Sequence, residues 1–226
     1  MQDSLSLLLL AATWGGYFAL HSLLASRSLK AEVARRWPRL DRRYRLAYNA
    51  TALVTLVPVL AMMAGNPGPW LWRWEGAWGW LADGLAVCAL VGFAWSARYY
   101  DLGEFAGLHR PGADSPGAGG LRLSPLHRHV RHPWYSLGLV LIWTRDMDAA
   151  WLVSALAISA YLVLGSRLEE RKLVVEFGEA YRAYKRRVPG LVPLPGRALS
   201  RAEARALEEQ ARAAVPEGLA RPQTQA

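Results

Sequence analysis

Apolar runs in this chain separate loops whose charge alternates, and no other property restricts the fold so severely. Residues 5–24, 46–64, 78–97 and 149–166 each approach the ~20 apolar residues a helix needs to cross a hydrocarbon layer. Residues 130–144 form a shorter run whose ends would lie within the headgroup layer. The loops after 5–24, 78–97 and 149–166 carry nearly all the lysine and arginine, while those after 46–64 and 130–144 carry Arg73 and Arg145 alone. Basic loops stay cytoplasmic, so the alternation predicts five spans with the N-terminus outside and the C-terminus in the cytoplasm. Hydrocarbon leaves no partner for an unpaired backbone amide, which makes each span a helix. The expected fold is therefore all-α: a polytopic membrane bundle of about five transmembrane helices with a cytoplasmic amphipathic C-terminal helix. Residues 1–198 are expected to form one integral-membrane domain, and 199–226 a charged helix and disordered tail.

Composition supports this reading. A chain that is 53% hydrophobic yet carries a formal charge of +9 suits a membrane protein with its charges confined to loops. Trp70, Trp72, Trp74, Trp78 and Trp80 read as an interfacial belt rather than a base-stacking surface. The basic residues already have a topological explanation, which argues against nucleic acid as a partner. Cys88 stands alone inside an apolar run, so it makes no intrachain disulfide and reads as filler. Met1-Gln2-Asp3 lacks the basic start of a signal peptide, so the first run is expected to be retained. Pro58 predicts a kink in the second span, and the Gly/Pro-rich loop beyond the third predicts irregular structure.

Two polar clusters fall on the same predicted face. Arg131-His132-Pro133-Trp134-Tyr135 stands at the entry to one apolar run, and Arg167-Leu168-Glu169-Glu170-Arg171-Lys172-Leu173 at the exit of the next. Pro133 suits the first turn of a helix. Glu170, Leu173 or Val174, Phe177, Tyr181 and Tyr184 recur at three- and four-residue spacing and share a helix face, with Gly178 expected to admit a close neighbour. Taken singly, these are a snorkelling arginine, a charge-balanced surface and a packing stripe. Ordered on one face, they suit a zwitterionic ligand such as S-adenosylmethionine. A cation would meet its carboxylate, Glu169 or Glu170 its ammonium, and aromatic rings its sulfonium.

Arg131-His132-Pro133-Trp134-Tyr135, Glu169-Glu170-Arg171-Lys172-Leu173, Phe177 to Tyr184 and Val188-Pro189 resemble the C-terminal signature of a family of integral-membrane methyltransferases. Isoprenylcysteine carboxyl methyltransferases and phospholipid methyltransferases belong to it. His21 to Ser26 and Tyr44 to Asn49 resemble its bacterial branch of methanethiol S-methyltransferases and denitrification-associated membrane proteins. A glycine commonly opens the first family motif; here Ser124-Pro125-Leu126 precedes His127. The resemblance implies S-adenosyl-L-methionine as cofactor, bound by Arg131, His132, Tyr135, Glu169 and Glu170; the aromatic stripe adds Tyr181 and Tyr184 as expected contacts. It also implies a bacterial cytoplasmic membrane protein. The expected reaction is methyl transfer to a small or lipid-soluble nucleophile, foremost a thiol such as methanethiol. His21, Asn49 and Arg131 are the candidates for catalysis, with His21 accepting a proton or orienting the acceptor. Membrane lipids and the methyl acceptor are the expected partners, and no bound metal is expected.

Three alternatives remain open to the sequence. The nucleophile is an isoprenylcysteine carboxylate or a lipid amine; or the protein is a non-enzymatic haem or metal binder using His21, His127, His129 and His132; or a basic scaffold holds anionic lipid.

Overall fold

The computed structural model describes residues 2–41, 43–108 and 120–214. It is an all-α membrane bundle with helices α1 (Gln2–Ala25), α2 (Arg27–Arg36), α3 (Pro38–Asp41), α4 (Tyr44–Gly65), α5 (Gly76–Ala97), α6 (Leu102–Ala106), α7 (Pro133–Trp143), α8 (Ala149–Arg187) and α9 (Arg201–Ala214). Two short strands, β1 (Trp70–Trp72) and β2 (Met147–Asp148), pair antiparallel. Among the described residues, four helices are long and apolar enough to cross a membrane: α1, α4, α5 and α8. The run at 130–144 becomes α7, whose 11 residues span about 16 Å at 1.5 Å each, roughly half a hydrocarbon core. Pro133, at its first position, stops the helix from extending backwards through the polar Arg131-His132 pair.

α8 runs on for 39 residues, about 58 Å, nearly twice the thickness of a hydrocarbon core. Its apolar part ends near Ser166, and the charged remainder from Arg167 lies beyond the span. Gly178 interrupts this polar half with φ 55° and ψ −129°. A Cβ there would meet nothing within 4 Å. The glycine therefore serves backbone conformation, not the close approach of a neighbour expected from the sequence.

The chain divides into two compact units. The first comprises Met1–Cys88, Asp101–Arg110 and Leu141–Tyr161. Its core joins Leu10, Trp14, Val59 and Ala150, and Trp14 Nε1 donates to Ser154 Oγ at 2.9 Å. The turn expected at Asn66-Pro67-Gly68-Pro69 caps α8: Pro67 and Pro69 carbonyls accept from the N–H groups of Ala150 and Ala149. Asp148 completes that cap through Trp151 N–H at 2.7 Å. Trp70, Trp72, Trp74, Trp78 and Trp80 are all exposed, as side chains of an interfacial belt must be. Pro58 sits within α4, which is otherwise continuous.

The second unit comprises Ala89–Tyr100, Pro111–Val140 and Leu162–Ala226. Leu121, Leu123, Phe177, Ala180, Tyr181, Tyr184, Val188, Leu199, Ala204 and Ala211 form its core. Ala204 and Ala211 are on α9, so this helix is part of the unit, with its apolar face covered. Of the glycines and prolines expected to make an irregular loop, Gly103 lies in α6 and Gly107 caps it at φ 83°. Pro111, Gly112, Pro116, Gly117 and Gly119, and the tail expected beyond α9, lie outside the described residues.

Candidate active site

Within the second unit, the two sequence clusters meet. The segment after α8 lies alongside Arg131 and His132, whose backbone N–H groups donate to Pro189 O (2.8 Å) and Gly190 O (3.1 Å). Ser136 Oγ donates to Leu191 O at 2.5 Å and to His132 O at 3.0 Å. Gly190 packs closely here: a Cβ would stand 3.3 Å from Arg131 Nη2. These main-chain ties fix where the two side chains begin.

Arg131 Nε and Nη2 both lie 2.7 Å from Glu170 Oε1. Nη1 donates to Lys185 O at 3.1 Å and also to Val188 O. His132 Nε2 is 3.2 Å from the same Glu170 oxygen, and Lys185 Nζ is 2.9 Å from the other. The Glu170 side chain is 5% exposed. Burial alone would raise its pKa, but hydrogen bonds from His132, Lys185 and Arg131, with the Arg131 charge, bring it down to about 2. Glu170 is an ionised carboxylate with both oxygens engaged.

Glu169 is different. Its side chain is 50% exposed, with Tyr135 OH at 3.5 Å and His132 Nδ1 at 3.6 Å from Oε2. The His132 and Tyr135 rings stack at 5.4 Å and 9°. Together they give a flat aromatic wall beside a carboxylate still open to an incoming cation.

Tyr181 and Tyr184, expected to flank a ligand, are instead core residues exposed by 2% and 1%. Tyr184 OH donates to His127 O at 2.6 Å. Burial pushes both phenols up, so they stay protonated at neutral pH. Their place is behind the charged cluster, where they stiffen it. His127 is half-buried, with Nδ1 2.7 Å from Ser124 Oγ, and desolvation, then the neighbouring His132, lowers its pKa to about 4.

The remaining two candidates belong to the first unit. His21 Nε2 is hydrogen-bonded to Tyr48 OH, and Tyr17 stacks on the imidazole at 5.8 Å. Its Nδ1 is buried and has no hydrogen-bond partner among the described residues. Asn49 spends its amide nitrogen on two carbonyls at the end of α6, Phe105 O and Ala106 O, each at 3.1 Å. That is a structural tie. Gly107 reinforces it, since a Cβ there would lie 2.5 Å from Leu46 N.

Lys185 and Tyr48 were not singled out from the sequence. Lys185 lies in a basic run that reads as solvated surface, and the kink at Gly178 removes the helical arithmetic linking it to Glu170. Tyr48 falls one residue before Asn49 inside an apolar helix, where an aromatic residue signals packing. Among the described residues, no three His, Cys, Asp or Glu side chains gather as a metal-ligand set.

Neither a family model nor a solved structure matches the chain. Named sequences do. Methanethiol S-methyltransferase 2 of Bradyrhizobium diazoefficiens is 31% identical over 187 residues, covering 76% of this chain and 68% of that protein. A methanethiol S-methyltransferase from a Pseudomonas species is 29% identical over 199 residues, 78% of this chain and 69% of the relative. One from Pseudomonas deceptionensis is 42% identical over 79 residues, 34% of this chain and 30% of its own. With four membrane-length helices, these relationships define an integral-membrane methyltransferase that draws on a methyl donor. The chain belongs to the methanethiol S-methyltransferase family.

Proposed function

We propose that the enzyme transfers a methyl group from S-adenosyl-L-methionine to a small thiol of the methanethiol kind. The observation that carries this reading is the convergence of Arg131, His132 and Glu170 within 3.2 Å, with Glu169 left open beside the His132–Tyr135 wall. The donor set fits this cofactor: the half-exposed Glu169 carboxylate for the ammonium, Lys185 and Arg131 as cations on the carboxylate side, and an aromatic face for the sulfonium. When bound, the cofactor supplies a methyl carbon made electrophilic by the positive sulfur it leaves. The chain's own contribution is alignment and exclusion of water. Glu169 binds, Tyr135 and His132 orient, and the Arg131–Glu170 pair holds that wall in place.

On the acceptor side, His21 is the group proposed to take the thiol proton, with the buried Nδ1 as its unpartnered nitrogen among the described residues and Tyr48 fixing the ring. A histidine within a span is costly unless it meets a partner or substrate. Asn49 supports this region through its tie to α6. The loop charges support a bacterial cytoplasmic membrane setting with the N-terminus outside and the cluster cytoplasmic. Membrane lipids and the thiol are the proposed partners, and nucleic acid is not.

Purified protein in detergent tests the reading. It should bind S-adenosylmethionine with a Kd of about micromolar order and, given methanethiol and methyl-labelled cofactor, release labelled dimethyl sulfide. Labelled isoprenylcysteine ester or lipid amine in place of the sulfide would overturn the thiol assignment. Folded protein that binds no cofactor would overturn the whole reading, and a Soret band would replace it with the haem alternative.

A further inference from the structure

The segment leading into Arg131 and His132 is held from outside by the C-terminal helix. Leu123 N–H donates to Glu208 Oε1 at 2.6 Å, a short charge-assisted bond. Leu199 N–H donates to Arg128 O at 2.9 Å. Immediately after it, Ser200 and Glu203 cap α9 reciprocally: Ser200 N–H to Glu203 Oε2 at 2.7 Å, Glu203 N–H to Ser200 Oγ at 3.2 Å. Leu121 and Leu123 bury their side chains in the cluster containing Ala204, Ala211 and Leu207. Tyr184 OH also donates to His127 O. The backbone from Leu123 to His132 is therefore pinned at Leu123, His127, Arg128, Arg131 and His132. Two of these pins, at Leu123 and Arg128, come from α9 or the residues that start it.

We propose that Glu208 is a positioning residue for the donor site. Through Leu123 N–H it fixes the turn that presents Arg131 and His132, so α9 sets donor affinity without touching the donor. The sequence alone makes α9 a charged surface helix, and Glu208 is then indistinguishable from Glu209 beside it. The structure separates them: Glu208 is half-buried on Leu123, while Glu209 is exposed.

This rests on the donor reading above, so the experiment begins with wild-type protein. Full-length enzyme in detergent is compared with Glu208→Ala, Glu208→Gln and Glu209→Ala by calorimetric titration with S-adenosylmethionine, with donor and acceptor KM measured in parallel. Glu208→Ala is expected to weaken donor binding about tenfold, the equivalent of about 1.4 kcal/mol, with acceptor KM unchanged. Glu208→Gln keeps an acceptor oxygen at the same reach and should recover most of the loss, and Glu209→Ala should match wild type. Folded Glu208→Ala that binds the donor normally overturns the inference, as does an equal rise in both KM values. Should Glu208→Ala not purify, Glu208→Asp carries the test, because its carboxylate withdraws by about one bond length, ~1.5 Å. Wild-type donor affinity in Glu208→Asp then overturns the inference. Wild-type protein that fails to bind the donor overturns both readings, whereas wild-type binding with an unaffected Glu208→Ala overturns this one alone.

Discussion

Glu169 and Glu170 are adjacent in sequence, yet the geometry gives them opposite consequences on replacement. Glu170→Ala removes a carboxylate on which Arg131, His132 and Lys185 all converge. The Arg131 side chain is 12% exposed, so its guanidinium is left almost buried without a counter-charge. Breaking a buried pair from one side costs about 3–5 kcal/mol. Lys185 is half-exposed and adds at most about 1 kcal/mol. A total near 4 kcal/mol is a large share of the 5–15 kcal/mol that typically separates folded from unfolded protein, and corresponds to roughly 10 °C in Tm. Donor binding falls too, as a consequence of a displaced Arg131-His132 segment.

Glu169→Ala removes a half-exposed side chain with two long contacts. Its stability should change by no more than about 0.5 kcal/mol. If Glu169 meets the donor's ammonium, its loss removes one charge-assisted hydrogen bond, about 1.5–3 kcal/mol, or roughly ten- to a hundredfold in Kd. Tryptophan-monitored thermal unfolding and donor titration on the same two variants separate the roles. Glu170→Ala that melts like wild type but binds no donor, together with a Glu169→Ala that binds normally, would exchange the assignments and refute the reasoning.

Acid should unfold the second unit in two stages. His127 titrates near 4 when folded against an ordinary value of 6.5, so its neutral form favours the fold fully above pH 6.5 and that support is lost as pH falls toward 4. Glu170 titrates at about 2 against 4.5, so its contribution is complete above 4.5 and disappears on approach to 2. Each is worth about 3 kcal/mol at most. Melting temperature should decline from pH 6.5 to 4, and His127→Asn should flatten that decline while leaving the lower stage. Gly178→Ala forces a side chain onto positive φ and should destabilise by about 1–3 kcal/mol, read as a lower Tm. An unchanged Tm would mean the helix straightens there at no cost.

Four of the five expected spans were legible because hydrocarbon imposes a rule on length and charge that single residues cannot evade; the fifth, 130–144, yields the 11-residue α7, shorter than a membrane-length helix. The meeting of Arg131, His132 and Glu170 was legible for a related reason: a charge-reversed pair at the entry and exit of consecutive apolar runs has few places to go. What the sequence could not separate was Glu169 from Glu170. Neighbours on a helix point about 100° apart, and which one faces the protein depends on where Arg131 reaches. Tyr181 and Tyr184 were misplaced because a ligand wall and a core stripe share the same helical spacing. The amphipathic C-terminal helix was legible as α9, but its partner was not: the segment around Leu123 is linked to Glu208 by no local pattern.

The buried Arg131–Glu170 pair is itself informative. Apolar residues of the same volume would often pack there as stably, so stability alone does not explain an ion pair. The polar half of α8 has left the hydrocarbon and is broken at Gly178; an apolar contact would tolerate it sliding or rotating against the Arg131-His132 segment. A guanidinium that must reach Glu170, Lys185 O and Val188 O together accepts one arrangement. That constraint places Glu169 on the open side, beside the His132–Tyr135 wall. For a reaction whose barrier is lowered mainly by alignment, a fixed register is the more useful property.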